Sequence, residues 1–216
     1  MAKNVDVKSF LENVLGLSDP SLVGFLEGRM KLVRVKKGDV LQKIGMPVKE
    51  IGFLVSGIVR GYYTDANGNE ATDCFVVVPG SPAVSCMALD KPSPLAFEAL
   101  EESVLYSIDM ETVMELLRKS PEVLALENRL LRESLKMHWE REMLLAQCSA
   151  AERYQAFLKK FPGLIDRINH KMVASFLGIT PVQLSRVRHS LKNDGNLHEP
   201  DENIASIIEP LFTVKL

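Results

Sequence analysis

The chain has 216 residues, room for one large domain or two small ones with a real hydrophobic core. It is 46% apolar and 25% charged with no biased tract, and its formal net charge of −2 argues against a globally basic nucleic-acid binder, so any basic footprint must be local. No apolar run approaches the roughly 20 residues that cross a bilayer. Residues 1–17 alternate charged with apolar positions instead of forming a signal peptide's apolar core, so a cytosolic location without membrane contact is expected.

Val7 to Met30 has helical spacing, broken at Ser18-Asp19-Pro20. From Lys31 the period shortens. "KLVRVKKGDVLQ" alternates, turns at Lys37-Gly38-Asp39 and resumes. "EIGFLVSGIVRGYYTD" holds two strands broken at Ser56-Gly57. "ANGNEATDCFVVVPG" supplies an Asn-Gly turn, a strand and a Pro-Gly stop, and "PLAFEALEESVLYSID" two strands more. Short strands with glycine-containing turns every eight to twelve residues predict an antiparallel sandwich or barrel.

Helical periodicity then returns and persists. "METVMELLRKS" is one short helix, and Pro121 opens a long one reaching about Gln147. Two adjacent apolar rows run along it at seven-residue spacing: Val123, Leu130, Met137 and Leu144, and beside them Leu124, Leu131, His138 and Leu145. Such a helix either lies across its own sheet domain or also meets its counterpart in a second chain. Its length of about 39 Å favours the second reading, and the Val123 row is taken as the dimer interface. Ser149-Ala-Ala-Glu152 has capping-box spacing and starts a helix that Pro162-Gly163 ends. These breaks divide the chain into 1–120, a sheet domain; 121–148, the long helix; and 149–216.

The three cysteines, Cys74, Cys86 and Cys148, are widely spaced and predict buried thiols, with a redox-sensing thiol as the alternative. The four histidines, at 138, 170, 189 and 198, all follow the strands. A cupin-type metalloenzyme needs ligands clustered on such strands. That enzyme reading is therefore the weaker alternative, and neither a metal nor a cofactor is expected.

One stretch asks for an explanation of its charge. Residues 167–193 contain no Asp or Glu in a chain that is acidic overall. Asn169 has the character of an N-cap for a helix His170 to Leu177, and Gly178 that of its left-handed terminator. Thr180 caps the next helix, and Pro181 occupies its first turn. Val173, Leu177, Ile179, Leu184 and Val187 form the apolar set that two steeply crossing helices share, with the small Ala174 at their closest approach. Thr180, Pro181, Val182, Gln183, Ser185, Arg186, Arg188, His189 and Lys192 remain as candidate DNA contacts, less those that face the core. Arginine and glutamine suit base edges, whereas Arg188, His189 and Lys192 suit phosphates. A carboxylate there would repel the DNA backbone.

"VASFLGITPVQLSRVR" resembles the helix-turn-helix of the Crp/Fnr family of bacterial transcription regulators. "SGIVRGYYTDANGNE" resembles that family's central hairpin, and "SAAERYQAFLKKFP" the segment that opens its DNA-binding domain. The resemblance extends over nearly the whole chain. It implies an α+β fold: an N-terminal antiparallel β jelly roll of the cyclic-nucleotide-binding type, a dimerisation helix and a C-terminal winged helix-turn-helix. It further implies a homodimer on a palindromic double-stranded operator, acting with RNA polymerase under the control of a small-molecule effector.

Three departures qualify that expectation. Val182 stands where relatives often carry an acid, so the operator half-site should differ there: valine touches a thymine methyl but accepts no cytosine N4 proton. Val84-Ser85 and Leu95 stand where cyclic-nucleotide binders place Gly-Glu and Arg, which argues against a cyclic nucleotide. The N-terminal cysteines of the iron–sulfur members are missing. The effector pocket is instead expected at Arg60, Tyr62, Phe75, Ser85, Leu95, Phe97, His138 and Trp139, a setting for a small organic acid or aromatic compound.

Overall fold

A computed structural model describes residues 6–85, 89 and 91–193, with side chains described as far as Leu191. It separates into two compact units. The first comprises the described residues of Met1–Asn69 and Asp73–Arg132; the second comprises those of Glu70–Thr72 and Glu133–Leu216.

Helices α1 (Val7–Asn13) and α2 (Pro20–Glu27) precede seven strands, which belong to the first unit apart from Glu70–Thr72. These are β1 (Lys31–Val35), β2 (Val40–Gln42), β3 (Glu50–Ser56), β4 (Val59–Thr64), β5 (Glu70–Val76), β6 (Ala96–Ala99) and β7 (Ser103–Asp109). They form a three-stranded sheet, β1-β7-β3, and a four-stranded sheet, β2-β6-β4-β5. The pairings β1–β7, β3–β7, β2–β6 and β4–β6 are antiparallel. Neighbours distant in sequence and two sheets exchanging strands make this a roll.

Strand alternation explains how the three-stranded sheet is covered on both faces. Ile51, Phe53, Tyr106 and Ile108 join Phe10, Leu11, Leu22 and Leu26 of the N-terminal helices in one cluster. Phe10 and Tyr106 meet with centroids 5.0 Å apart. Leu54 and Leu105, one residue out of phase, are buried on the opposite face. At Ser56-Gly57, glycine is required twice over. Its φ is +111°, and a Cβ there would lie 2.1 Å from Ser103 Oγ, the hydroxyl that accepts from Ile58 N at 3.2 Å.

Helix α3 (Met110–Lys119) leads to α4 (Pro121–Gln147), the long helix expected from the sequence. Val123, Leu126 and Leu130 pack against the cluster of the first unit. Two polar contacts reinforce this face. Glu122 accepts from Ser18 Oγ at 2.8 Å and from Asp19 N at 3.1 Å, and Arg129 Nη2 donates to Leu15 O at 2.6 Å. Glu122 and Arg129 lie two turns apart and grip successive parts of one N-terminal segment. The backbone N–H of Ser18 and its hydroxyl hold the Glu122 carboxyl below the usual glutamate range. A lowered carboxylate pKa stabilises the fold above the unfolded-state value, and that contribution disappears as pH falls through the folded value. Glu122→Gln is therefore expected to cost about 1 kcal/mol at neutral pH. Its difference from the parent should begin to shrink as pH falls below the free glutamate range and disappear only below the lowered folded value, as measured by urea denaturation across pH.

The second unit contains the C-terminal half of α4, then α5 (Ala150–Lys160), a 3-10 turn (Leu164–Asp166), α6 (His170–Phe176) and α7 (Pro181–Asn193). The Ser149 capping box forms in both directions: Ser149 Oγ accepts from Glu152 N at 3.3 Å, and Glu152 Oε2 accepts from Ser149 N at 2.6 Å. Phe157, Phe161 and Phe176 form an aromatic cluster with centroid separations of 5.3 to 6.0 Å. Val173, Ala174, Leu177 and Leu184 are buried between α6 and α7. The full burial of Ala174 accounts for the small side chain there. The wing segment expected at the C-terminal end lies outside the described residues.

Candidate nucleic-acid interface

The α6–α7 pair is assembled from local signals. Asn169 Oδ1 accepts from Lys171 N at 2.9 Å and starts α6. Gly178, at φ +65°, turns the chain. A Cβ there would lie 2.9 Å from Leu145 Cδ2 and 3.4 Å from Arg153 Nη1, so only glycine brings the turn this close to α4 and α5. Two arginines satisfy the carbonyls left over at the end of α6. Arg141 Nε donates to Phe176 O at 3.0 Å, and Arg153 Nη1 donates to Leu177 O at 2.8 Å. Neither contact is signalled in the sequence, since an arginine carries no local mark of a carbonyl over twenty residues away.

Helix α7 begins with a second capping box. Thr180 Oγ1 accepts from Gln183 N at 3.1 Å, and Gln183 Oε1 accepts from Thr180 N at 2.8 Å. The Thr-x-x-Gln spacing carries this signal, and the glutamine half of it goes beyond the single cap expected from Thr180. Gln183, expected as a base reader, thus has its side-chain oxygen engaged by its own helix.

Along α7, Pro181, Val182, Gln183, Ser185, Arg186 and His189 are exposed, while Leu184 and Leu191 are buried. Arg188 departs from expectation. It is half-buried, its Nη1 lies 2.9 Å from His170 Nδ1 on α6, and it hydrogen-bonds Tyr154, whose hydroxyl pKa is raised mainly by burial. A long cationic stem at the edge of the apolar stripe has folded back as a brace between helices, so Arg188 is not free for a phosphate. Lys192 is in α7, but its side chain lies outside the described set.

The expected effector residues fall into two groups. Arg60, Tyr62 and Phe97 come together on β4 and β6, where Arg60 faces Glu98 and Gly61 faces Phe97 in register. Arg60 is 2% exposed and bridges to Glu98 Oε1 at 3.0 Å, with its guanidinium 4.5 Å from the Tyr62 ring centroid. The one basic group assigned to an organic acid therefore already has a carboxylate. Phe75 and Ser85 are buried and Leu95 is half-buried. A cavity of about 60 Å³ in this unit lies against Phe53, Val84, Val113 and Leu126, and neither Arg60 nor Phe97 lines it. In the second unit, His138 and Trp139 are exposed on α4, and His138 Nδ1 lies 2.8 Å from Ser134 O in the preceding turn.

The row expected at the dimer interface is likewise turned inward. Val123 and Leu130 pack on the core of the first unit, Leu144 packs on Ala156 of α5, and Met137 is half-buried. The large apolar side chains that α4 leaves exposed are Leu124, Leu135 and Trp139. Cys74 and Cys148 are buried, and neither is joined in a disulfide. Burial, assisted by Glu152, pushes the Cys148 thiol up, the opposite of what a reactive thiolate needs. Cys86 lies outside the described residues.

Comparison with known proteins adds three findings. Residues 32–120 match the cyclic nucleotide-binding domain. The chain is 25% identical over 174 residues to the anaerobic regulatory protein of Pasteurella multocida (strain Pm70), a match covering 76% of this chain and 63% of that one. The chain thus spans slightly under two thirds of that relative's length. Among solved structures, FixK2 from Bradyrhizobium japonicum aligns with TM-score 0.68 at 19% identity, covering 77% of this chain and 86% of that one. A CRP/FNR-family transcriptional regulator from Thermus thermophilus aligns with TM-score 0.64 at 19% identity, covering 83% and 98%. At these identities the structural likenesses speak to the fold.

Proposed function

Because the chain belongs to the Crp/Fnr family of transcription regulators, we propose that it regulates transcription as a homodimer that reads a palindromic operator with α7. The observation that carries this reading is the outward face of that helix. Val182, Ser185, Arg186 and His189 are exposed on a stretch free of carboxylates, while caps and buried side chains hold the helix in place. Arg186 is the base reader, Val182 contacts a thymine methyl, and Ser185, His189 and Lys192 serve the backbone. Thr180 and Gln183 build the helix start whose N–H groups suit a phosphate, and Pro181 shapes it.

Selecting bound sequences from random DNA tests the reading. Arg186→Ala is expected to cost about 1–3 kcal/mol at one base pair and to relax preference there, whereas Lys192→Ala should weaken all sequences alike. Equal losses on selected and random DNA for both variants would refute the assignment. Arg188→Ala should instead lower the melting temperature, in keeping with its contacts to His170 and Tyr154.

We place the partner-facing seam of α4 on Leu124, Leu135 and Trp139. Spacings of eleven and four residues set these three within one narrow arc of the helix. The effector of the roll is not a cyclic nucleotide in this reading. Ser85 and Leu95 offer no cation to a phosphodiester, and Arg60 is already paired within its own sheet.

A further inference from the structure

The second unit contains a cavity of about 270 Å³, walled by Leu144 and Leu145 of α4, Ala156, Phe157 and Phe161 around α5, and Phe176 of α6. Its charged lining is unequal. Arg141, Arg153, Lys159 and Lys160 stand against one acid, Glu140. That acid is 5% exposed and already met twice, by Lys160 Nζ at 2.7 Å and by Lys136 Nζ at 3.9 Å. Arg141 and Arg153 give one N–H each to the carbonyls that end α6. The Nε of Arg153 is different. It is buried and has no hydrogen-bond partner, the single side-chain nitrogen or oxygen in that condition among the described residues. A buried guanidinium N–H left unmade is costly unless something accepts from it.

We propose that this cavity is a ligand site for a small apolar monocarboxylate, its hydrocarbon or aromatic body among the three phenylalanines and its carboxylate beside the Arg153 guanidinium, which lines the cavity. Size, lining and charge each narrow the class. An engineered cavity of about 150 Å³ takes up benzene, so the larger space here suits one ring with a short acid arm, or a medium-length acyl chain. The apolar wall disfavours sugars and nucleotides, which bring many polar groups and few acceptors for them here. The surplus of cations disfavours amines. The residues that wall the cavity run straight into the Gly178 turn, so an occupant touches the element that positions α7.

Calorimetry on the full chain tests this without DNA, and its outcome is independent of how α7 is read. The probes are 3-phenylpropanoate and octanoate, each paired with its neutral amide. At least one acid is expected to bind, and about tenfold or more tighter than its amide, as a charge-assisted hydrogen bond requires. Arg153→Lys, which keeps the charge but loses the planar guanidinium fork, should remove most of that preference. Leu144→Phe, which narrows the space, should weaken binding severalfold while the unliganded melting temperature holds or rises. The proposal is overturned if neither acid binds at millimolar concentration, if acid and amide bind alike, or if a folded Leu144→Phe variant binds as well as the parent.

Discussion

Glu98→Ala is expected to destabilise the roll by about 2–3 kcal/mol, the cost of removing a charge-assisted hydrogen bond from the buried Arg60 guanidinium. Arg60 and Glu98 face each other across β4 and β6. The guanidinium is 2% exposed and the carboxylate 18%, so the pair is largely shielded from water. The Tyr62 ring contributes a cation–π contact, worth less than the lost ion pair. Denaturation of the full chain, read by hydrogen exchange at β4 and β6, measures the effect. A companion variant separates charge from packing. Arg60→Met combined with Glu98→Leu should recover most of the loss, because apolar pairs of similar volume often replace buried ion pairs at little cost. A single variant within about 1 kcal/mol of the parent would show that the guanidinium is satisfied without Glu98.

Leu135→Glu is expected to yield monomers and to reduce affinity for a full palindrome by about 10²–10⁴, because the second half-site contact ceases to be intramolecular. Leu135 is 66% exposed, so the substitution disturbs nothing inside the chain. Melting of the isolated chain and affinity for a single half-site should both stay as in the parent. Light scattering gives the mass, and titration on half and full sites gives the ratio. Leu130→Glu is the contrasting control, since Leu130 packs on the core of the first unit and its replacement should unfold that unit. A Leu135→Glu protein that remains dimeric would exclude this seam.

The contrast between those two leucines shows what was readable beforehand. Seven-residue spacing revealed two adjacent apolar rows on α4, yet Leu135 belongs to neither and stands exposed outside them. Which side of the helix is covered in the first unit depends on Phe10, Leu11 and Leu22 arriving from the far end of the chain. The strands were legible because alternation such as Ile51, Phe53 against Leu54 is a local property of a half-covered sheet. Caps were legible for the same reason: Ser149, Asn169 and Thr180 each bond within three residues. Long-range polar partners were not. Glu122 reaches back to Ser18, Arg129 to Leu15, Arg60 across to Glu98, and Arg188 to His170, and a lone charged residue does not reveal whether it will face solvent or another strand. The exposure of Val182, Ser185 and Arg186 on α7 was legible from the helical pattern, whereas the brace of Arg188 to His170 was not.

The capping box at the start of α7 has a consequence for how such a protein changes targets. Gln183 lies on the surface that would meet DNA, yet its side chain closes the helix start with Thr180. A substitution that re-aims position 183 at a new base sacrifices the cap, worth about 1 kcal/mol. Val182 and Ser185, beside it and exposed, carry no such obligation. On the proposed reading of α7, operator preference drifts freely through those two positions, whereas Gln183 is held in place by the helix it begins.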